Sequence, residues 1–264
     1  ANPATGPQAY PCVTIRTDVS PPLPFQALSP SADAWVGARP TFTWEATTDS
    51  PAGLGNYFLQ ITGQDEIDAG TGTSYELDDA QSLADGSYTW TAQAVDKLGN
   101  SRPAANTLSF RVDGLKPRAV TLLSPIEGTW QNAARPTLCW NATTDNGASG
   151  LANYRVRVDG ETSFVAASST CLQVPTNLSE DTHIWDVAAI DHAGNVGPVS
   201  ENWSFRVDLS APPAPLPTYP DDGMHVRDNP PIFHWQLVQD LPTGKASGVC
   251  GYTVTLNDES QSAA

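Results

Sequence analysis

The chain has 264 residues, a formal net charge of −16 and a hydrophobic content of 39%. This content is enough to bury cores of ordinary size, and the 23 Pro and 20 Gly residues indicate a turn-rich, all-β protein. The 13 Lys and Arg residues are too scattered to form the basic surface that phosphates require, which excludes nucleic acid and anionic membranes as partners. No apolar stretch approaches the roughly 20 residues needed to cross a bilayer, so direct membrane insertion is excluded as well.

Several features point to an oxidising, extracellular location. The sequence begins at Ala1 rather than at Met, and it contains four Cys and one Met. We therefore expect a processed protein that is secreted or held at the cell surface. Three Asn-x-Ser/Thr sequons, at Asn141, Asn177 and Asn202, would be glycosylation sites in that compartment.

An internal repeat of 95 residues organises the chain. Phe110-Arg-Val-Asp113 recurs as Phe205-Arg-Val-Asp208, and Asp96-Lys-Leu-Gly-Asn100 recurs as Asp191-His-Ala-Gly-Asn195 at the same offset. Ile15-Arg-Thr-Asp18 precedes the first of these sequences by the same interval. This period is the length of one small β-sandwich.

The repeat predicts four segments. Residues 1–18 would be an N-terminal segment that contains the last strand of a preceding repeat. Residues 19–113 and 114–208 would be two complete repeats. Residues 209–264 would be a partial third repeat, which is either part of a longer array or is completed by a strand from a neighbouring copy.

The predicted strands follow the same order in each repeat. The second strand ends in Trp44, Trp140 or Trp235. Later strands, such as Tyr57-Phe-Leu-Gln-Ile61 and Tyr88-Thr-Trp-Thr-Ala-Gln-Ala94, alternate apolar and polar residues, so one face is buried and the other is in contact with water. This pattern predicts antiparallel sheets.

Taken in order, these motifs resemble fibronectin type III and bacterial immunoglobulin-like domains. The resemblance rests on the Trp that ends the second strand, an Asp-containing loop, a third strand that begins with Tyr, and a sixth strand that runs into Asp-x-x-Gly-Asn. It covers nearly all of residues 12–264, and the linkers after Asp113 and Asp208 are similar to the junctions of bacterial surface arrays. The resemblance implies an all-β fold of tandem antiparallel β-sandwiches with about 95 residues each.

The four cysteines are too dispersed for a zinc site. In the fold that the resemblance implies, Cys139 in the second strand and Cys171 in the fifth are on neighbouring strands of one sheet, which predicts a disulfide. Cys139 is out of phase with the core residue Trp140, so the bond would lie on the outer face. Two separate thiols are the alternative, and Cys12 and Cys250 would be candidates for an intermolecular crosslink.

Acidic residues form the main candidate site. In the fold that the resemblance implies, the end of one repeat lies against the loops after strands two and six of the next, so three carboxylates would converge at each junction. Such oxygen ligands are those that calcium prefers. The alternative is that the same residues only shape turns and cap loops. The proposed ligands are Asp18, Asp49 and Asp96 at the first junction, and Asp113, Asp145 and Asp191 at the second.

Nucleophilic catalysis requires a nucleophile near a histidine and an orienting carboxylate. None of the four histidines has a counterpart in the first repeat, which predicts that the chain is not an enzyme. These residues are His183, His192, His225 and His234. Trp35, Trp130 and Trp203 lie outside the repeated core positions, where exposed aromatic rings could stack on sugars or fill a partner's pocket. The alternative for Trp35 and Trp130, which occupy corresponding segments of the two repeats, is that they pack against the first strand or at the interdomain seam.

We therefore expect a non-enzymatic, extracellular structural protein that forms a surface fibre, sheath or adhesin stalk and has calcium as its cofactor. Its partners would be neighbouring copies or further repeats of the same chain. The alternatives are a glycan-binding or protein-binding module, or an accessory region of a larger secreted enzyme.

Overall fold

The computed structural model describes residues 17–227, 230–241, 246–256 and 259–263. Within these ranges the chain divides into two compact units. The first extends to Leu115 and includes the loop segments Gly147–Ser149 and His192–Asn195; the second comprises Lys116–Asn146, Gly150–Asp191 and the residues from Val196 onward. Within the described part of the chain, no helix is long and apolar enough to span a membrane.

The first unit contains the first complete repeat. One short 3-10 helix, Asp79–Gln81, begins at an Asp78 cap. The strands are β1 (Ala27–Ser29), β2 (Ala34–Val36), β3 (Thr41–Trp44), β4 (Leu54–Ile61), β5 (Ile67–Gly70), β6 (Ser74–Glu76), β7 (Gly86–Asp96), β8 (Ser101–Pro103) and β9 (Leu108–Val112).

These strands form two sheets. Strands β1, β3 and β6 form one sheet in that order, and the other has the order β2-β9-β7-β4-β5 with β8 paired to β7. The pairing is antiparallel except between β2 and β9, which are parallel. The prediction of antiparallel strands is incomplete here because the first strand of the sandwich is split, and its second half, β2, pairs with the last strand in the other sheet.

The core of the first unit lies between the two sheets. Phe42 from β3 contacts Trp90 from β7, with ring centroids 4.9 Å apart, and Phe110 from β9, at 5.6 Å. Trp44 packs against Tyr57, and all five side chains are buried. The alternation read from the sequence is thus the alternation between core and solvent.

The second unit repeats this architecture. Its strands are β10 (Leu122–Ser124), β11 (Thr129–Gln131), β12 (Thr137–Trp140), β13 (Leu151–Val158), β14 (Glu161–Ala166), β15 (Cys171–Gln173), β16 (Thr182–Asp191) and β17 (Trp203–Val207). The sheet orders are β10-β12-β15 and β11-β17-β16-β13-β14, and β11 is parallel to β17. Buried core residues include Trp140, Tyr154, Trp185 and Phe205.

Cys139 and Cys171 form a disulfide in the second repeat. They are directly opposite each other on β12 and β15. Neither belongs to the buried core, whereas Leu138 and Trp140 on either side of Cys139 do. The bond therefore lies on the outer face of the sheet, as the alternation predicts.

Two further strand pairs, which correspond to strands of a third repeat, are found among the described residues of the second unit. Strands β18 (Pro217–Tyr219) and β19 (His234–Trp235) form one pair, and β20 (Tyr252–Leu256) and β21 (Glu259–Ala263) form another. Trp235 packs against Tyr252 at a centroid distance of 5.4 Å, as Trp44 packs against Tyr57 at 5.5 Å. Unlike Trp44, Trp235 is only half-buried.

Candidate metal centre

Three predicted ligands converge in the first unit. Asp18 lies before the first strand, Asp49 in the loop after β3, and Asp96 at the end of β7. One carboxylate oxygen of each residue lies within 4.8 Å of the other two. Asp96 is buried, and Asp18 and Asp49 are half-buried.

Backbone amides hold these carboxylates in place. Asp96 Oδ1 accepts hydrogen bonds from the amides of Leu98 and Asn100, both at 2.8 Å. Asp49 Oδ2 accepts the Gly53 amide at 3.1 Å. The turn-shaping role, which the sequence offered as the alternative to metal binding, is therefore present. The same hydrogen bonds orient the carboxylates.

The electrostatics favour the charged form of Asp96. Burial alone would raise the pKa of Asp96, but hydrogen bonds from the Asn100 side chain and from the amides of Asn100, Leu98 and Gly99 lower it overall. An ionised carboxylate is the form that binds a metal ion.

Asp18 connects the preceding segment to the loop after β3. Its Oδ1 accepts the Ser20 amide, and its Oδ2 accepts the Ala52 amide, both at 2.9 Å. The Asn100 side chain also donates to the Asp18 carbonyl oxygen at 3.2 Å. We call this arrangement an aspartate latch: the last Asp of a repeat accepts an amide two residues ahead and an amide of the following Asp-containing loop.

The latch recurs at Asp113, which is buried and belongs to the first unit. Its Oδ1 accepts the Leu115 amide at 3.0 Å, and its Oδ2 accepts the Ser149 amide at 2.7 Å. Asn195 donates to the Asp113 carbonyl oxygen at 2.7 Å. Burial alone would raise the pKa of Asp113, but the hydrogen bonds from Ser149 and Leu115 lower it overall.

Gly147 is required for this close approach. A Cβ atom at that position would collide with the Asp113 carboxylate. Any larger residue at position 147 would therefore displace the Asp113 carboxylate from its place in the latch.

The other two ligands predicted with Asp113 belong to the second unit. Asp145 Oδ2 accepts the Gly150 amide at 3.0 Å, the counterpart of the bond from Gly53 to Asp49. Asp191 is buried at the end of β16, where Asp96 is found in the first repeat. Calcium binding by Asp113, Asp145 and Asp191 stays a prediction.

Sequence reasoning missed a third latch, which lies within the second unit. Asp208 Oδ1 accepts the Ser210 amide at 3.1 Å, and its Oδ2 accepts the Ser247 amide at 2.6 Å. Asp240 Oδ2 accepts the Gly248 amide at 2.9 Å, whereas its buried Oδ1 has no hydrogen-bond partner among the described residues. The signal in the sequence is the spacing Trp235 to Asp240, which equals that from Trp44 to Asp49 and from Trp140 to Asp145.

Asp208 is also held as an anion. Hydrogen bonds from the Ser247 amide and hydroxyl outweigh burial and lower the pKa of Asp208. A buried carboxylate oxygen without a partner, as at Asp240, is unusual in folded proteins.

The remaining predicted site residues are dispersed. Cys12 lies outside the described residues, and the Cys250 thiol is free and exposed. The three sequon residues are all exposed, and their glycosylation stays a prediction; they are Asn141, Asn177 and Asn202.

The additional tryptophans are partly covered. Trp35 on β2 and Trp130 on β11 are half-buried, with the guanidinium carbons of Arg111 and Arg206 at 5.5 and 5.3 Å from the ring centroids. Trp203 packs edge-on against Trp185 at 6.5 Å. The first two therefore pack along the paired first and last strands, as one of the sequence interpretations proposed.

The fold and the recurring latches define an array of immunoglobulin-like and fibronectin type III-like repeats. Residues 36–114 match the model of the Bacterial Ig-like domain family. The structure is similar to the fibronectin(III)-like modules of Clostridium thermocellum CbhA, with a TM-score of 0.51, 16% identity, and coverage of 70% of this chain and 94% of that one. It is also similar to the FN1-FN3 domains of chicken CNTN1, with a TM-score of 0.55, 14% identity, and coverage of 73% and 70%.

Similar sequences occur in proteins named for polysaccharide hydrolysis. Endoglucanase B of Cellulomonas fimi is 31% identical over 183 residues, which is 67% of this chain and 17% of that protein. Chitinase A1 of Niallia circulans is 28% identical over 169 residues, 63% of this chain and 23% of that protein. Exoglucanase B of Cellulomonas fimi is 31% identical over 221 residues, 81% and 19%. The chain thus spans less than a quarter of the length of each of these relatives.

Proposed function

We propose that this chain is a non-catalytic, extracellular spacer region of a larger polysaccharide-acting protein, and that calcium binds beside its aspartate latches. The observation that carries the proposal is the recurrence of one latch geometry at Asp18, Asp113 and Asp208. A spacer needs its linkers fixed in the same way at each repeat, and repeat arrays derive their mechanics from such nearest-neighbour interactions.

The relatives favour an accessory region over a surface fibre. All three carry the matching segment within proteins named as an endoglucanase, a chitinase or an exoglucanase. Domains of this fold are generally non-catalytic modules, so the chain would place or separate other modules rather than cleave a substrate itself. The fibre, sheath or adhesin stalk role stays a prediction without a relative that favours it.

The spacer role is distinguished from glycan binding by a pelleting assay. The full chain should remain in solution when it is mixed with insoluble cellulose or chitin, because Trp35 and Trp130 are each half-buried beside an arginine. Retention on one of these polymers that is lost in Trp35→Ala or Trp130→Ala would replace the spacer proposal with the binding-module alternative.

Calcium fits the donor set in the first unit. Calcium–oxygen bonds of about 2.3–2.6 Å place ligands on opposite sides of the ion at about 5 Å from each other. The oxygens of Asp18, Asp49 and Asp96 lie within 4.8 Å of one another. A carboxylate has about four acceptor sites, so the amide hydrogen bonds at these residues leave capacity for a cation.

The unpartnered Oδ1 of Asp240 supports cation binding in the second unit as well. Asp208 and Asp240 are both buried. A cation would supply the missing partner of Asp240 Oδ1.

Calorimetric titration with calcium chloride tests this part of the proposal. The wild-type chain should bind calcium with heat that is lost at one site in Asp49→Asn, whereas Asp65→Asn, which changes an exposed acid outside the cluster, should bind as the wild type does. Equal binding by all three proteins would show that calcium associates only with the general negative charge.

A further inference from the structure

The second repeat contains a buried histidine whose two ring nitrogens both face oxygen acceptors. His183 on β16 is only 5% exposed. Its Nδ1 lies 2.6 Å from Asp159 Oδ2, and its Nε2 lies 2.9 Å from the Ser179 carbonyl oxygen. Neutral imidazole has one N–H donor and one acceptor nitrogen, so it can satisfy only one of these oxygens. The imidazolium form, with two donors, satisfies both.

The first repeat has a tyrosine at the position equivalent to His183. Tyr88 occupies the position of His183 two residues before the core tryptophan, and its hydroxyl donates to the Ala84 carbonyl oxygen at 3.0 Å. Tyr88 packs on Phe110, as His183 packs on Phe205, both at 5.6 Å. The carbonyl bond and the aromatic contact are therefore shared, and the carboxylate partner is present only in the second repeat.

The backbone conformation of Asp159 directs its side chain towards His183. It lies in the turn between β13 and β14 with a φ of 51°, a left-handed conformation that Asp and Asn tolerate better than most residues. Its second oxygen, Oδ1, accepts the Ile184 amide at 2.9 Å. The carboxylate thus binds both the ring and the backbone of β16.

The charges around the ring are mostly engaged elsewhere. Glu180 accepts hydrogen bonds from the Leu209 amide and the Ser210 hydroxyl, and Asp181 accepts the Thr182 amide. Arg206 on β17, which follows the Phe205 that packs on the ring, lies over the Trp130 ring. The Asp159 carboxylate is therefore the charged group that contacts the imidazole directly.

We propose that His183 is a proton-dependent hydrogen-bond link within the second repeat. As an imidazolium it ties the turn between β13 and β14 to the segment before β16. Loss of the proton leaves one nitrogen lone pair against an oxygen atom and releases one of the two ties. Both ties are therefore made only by the protonated ring, and one of them is lost when the ring loses a proton.

Nitrogen NMR of the full chain tests the protonation state directly. At pH 7.0 both ring nitrogens of His183 should carry protons in the wild type. In Asp159→Asn, which keeps the turn residue able to adopt positive φ and removes the charge, His183 should be a neutral tautomer at the same pH. A neutral His183 in the wild type, or identical titration in Asp159→Asn, would overturn the proposal.

Hydrogen exchange of the Ile184 amide tests the mechanical consequence. Between pH 6 and pH 9 its protection, corrected for intrinsic exchange, should fall roughly tenfold in the wild type, because the His183 ring loses one of its two hydrogen bonds. In His183→Tyr, which copies the first repeat, the corrected protection should not depend on pH. A parallel fall in both proteins would show that the pH effect arises elsewhere, and if the Tyr variant fails to fold, Asp159→Asn provides the same comparison.

Discussion

The first and second repeats share a backbone and a core but differ in how the outer parts of the sandwich are tied. The aromatic core is equivalent: Trp44 with Tyr57 in one repeat, and Trp140 with Tyr154 in the other. Thr43 and Ser74 are directly opposite each other in the first repeat, where the second has the disulfide between Cys139 and Cys171. The two repeats thus have equivalent cores, whereas one pair of opposite positions on the outer strands is crosslinked in the second repeat and is Thr and Ser in the first.

The equivalent positions Tyr88 and His183 also differ between the two repeats. The Tyr88 hydroxyl donates to one carbonyl oxygen, whereas the His183 ring lies between a carboxylate and a carbonyl oxygen. The second repeat therefore has both the disulfide and the contact between His183 and Asp159. In the core of the first repeat, Trp90 donates to the Pro30 carbonyl oxygen at 3.0 Å.

The largest expected effect comes from removing the disulfide. The double substitution Cys139→Ser with Cys171→Ser should lower the free energy of unfolding of the second repeat by about 3–4 kcal/mol in the loop-entropy account, because the bond closes a segment with a sequence separation of 32. Denaturant-dependent hydrogen exchange, read separately on peptides of each repeat, measures this loss. The first repeat should be unaffected.

The matched variant transfers the bond to the first repeat. Thr43→Cys with Ser74→Cys should form a disulfide and stabilise that repeat by an amount of the same order, since the two positions are directly opposite on β3 and β6. Failure of these thiols to pair under oxidising conditions would mean that the two repeats differ in backbone geometry and not only in side chains.

An effect of intermediate size is expected at Asp113. Its folded-state pKa is lowered from 3.8, so the unfolded chain binds more protons in acid. The stabilisation is therefore present above about pH 4 and is lost as the pH falls through the lower folded value. In chelator, Asp113→Asn should cost roughly 1 kcal/mol at pH 7 and show a weaker loss of stability between pH 5 and pH 2 than the wild type.

The exposed Asp65→Asn is the control for this acid titration. Asp65→Asn removes one carboxylate, as Asp113→Asn does, but it leaves the aspartate latch intact. Its stability should therefore depend on pH as that of the wild type does. Superimposable profiles for Asp113→Asn and the wild type would remove Asp113 from the acid response.

The sequence predicted the sandwich well because its signals are local and repeated. Alternation, the position of Trp44 and Trp140, and the 95-residue offset determine which face of each strand is buried. The parallel pairing of β2 with β9 was not predicted, because it depends on where the first strand leaves one sheet for the other. That choice is made by tertiary packing, and the local pattern of three-residue strands does not encode it.

The candidate site was predicted only in its acidic residues. Asp18, Asp49 and Asp96 converge because the fold brings chain ends and loops together, and that could be read from the fold resemblance. The amide donors of Ala52, Ser149 and Ser247 could not, since any non-proline residue has a backbone N–H and the sequence gives no sign of which one points at a carboxylate. The partner of His183 was missed for a similar reason: Asp159 is 24 residues away and reaches the ring only through its turn.

The smallest expected effect concerns a hydrogen bond that all three repeats share. The hydroxyl of the tyrosine that opens the third strand accepts a backbone amide from the Asp-containing loop: Thr47 to Tyr57 at 2.8 Å, Thr143 to Tyr154 at 3.2 Å, and Val238 to Tyr252 at 3.2 Å. Replacing each tyrosine by phenylalanine should cost about 1 kcal/mol or less, and most at Tyr57, where the bond is shortest and buried. Hydrogen exchange of the Thr47, Thr143 and Val238 amides measures each bond locally.

The order of these three losses is the informative result. Tyr57 and Tyr154 are buried, whereas Tyr252 is half-exposed beside a half-buried Trp235, so water can replace its bond at little cost. A loss at Tyr252 as large as that at Tyr57 would mean that the third repeat is as well shielded from water as the first. The expected gradient, from Tyr57 through Tyr154 to Tyr252, would instead show that the shared bond stabilises each repeat only as far as that repeat's core excludes water.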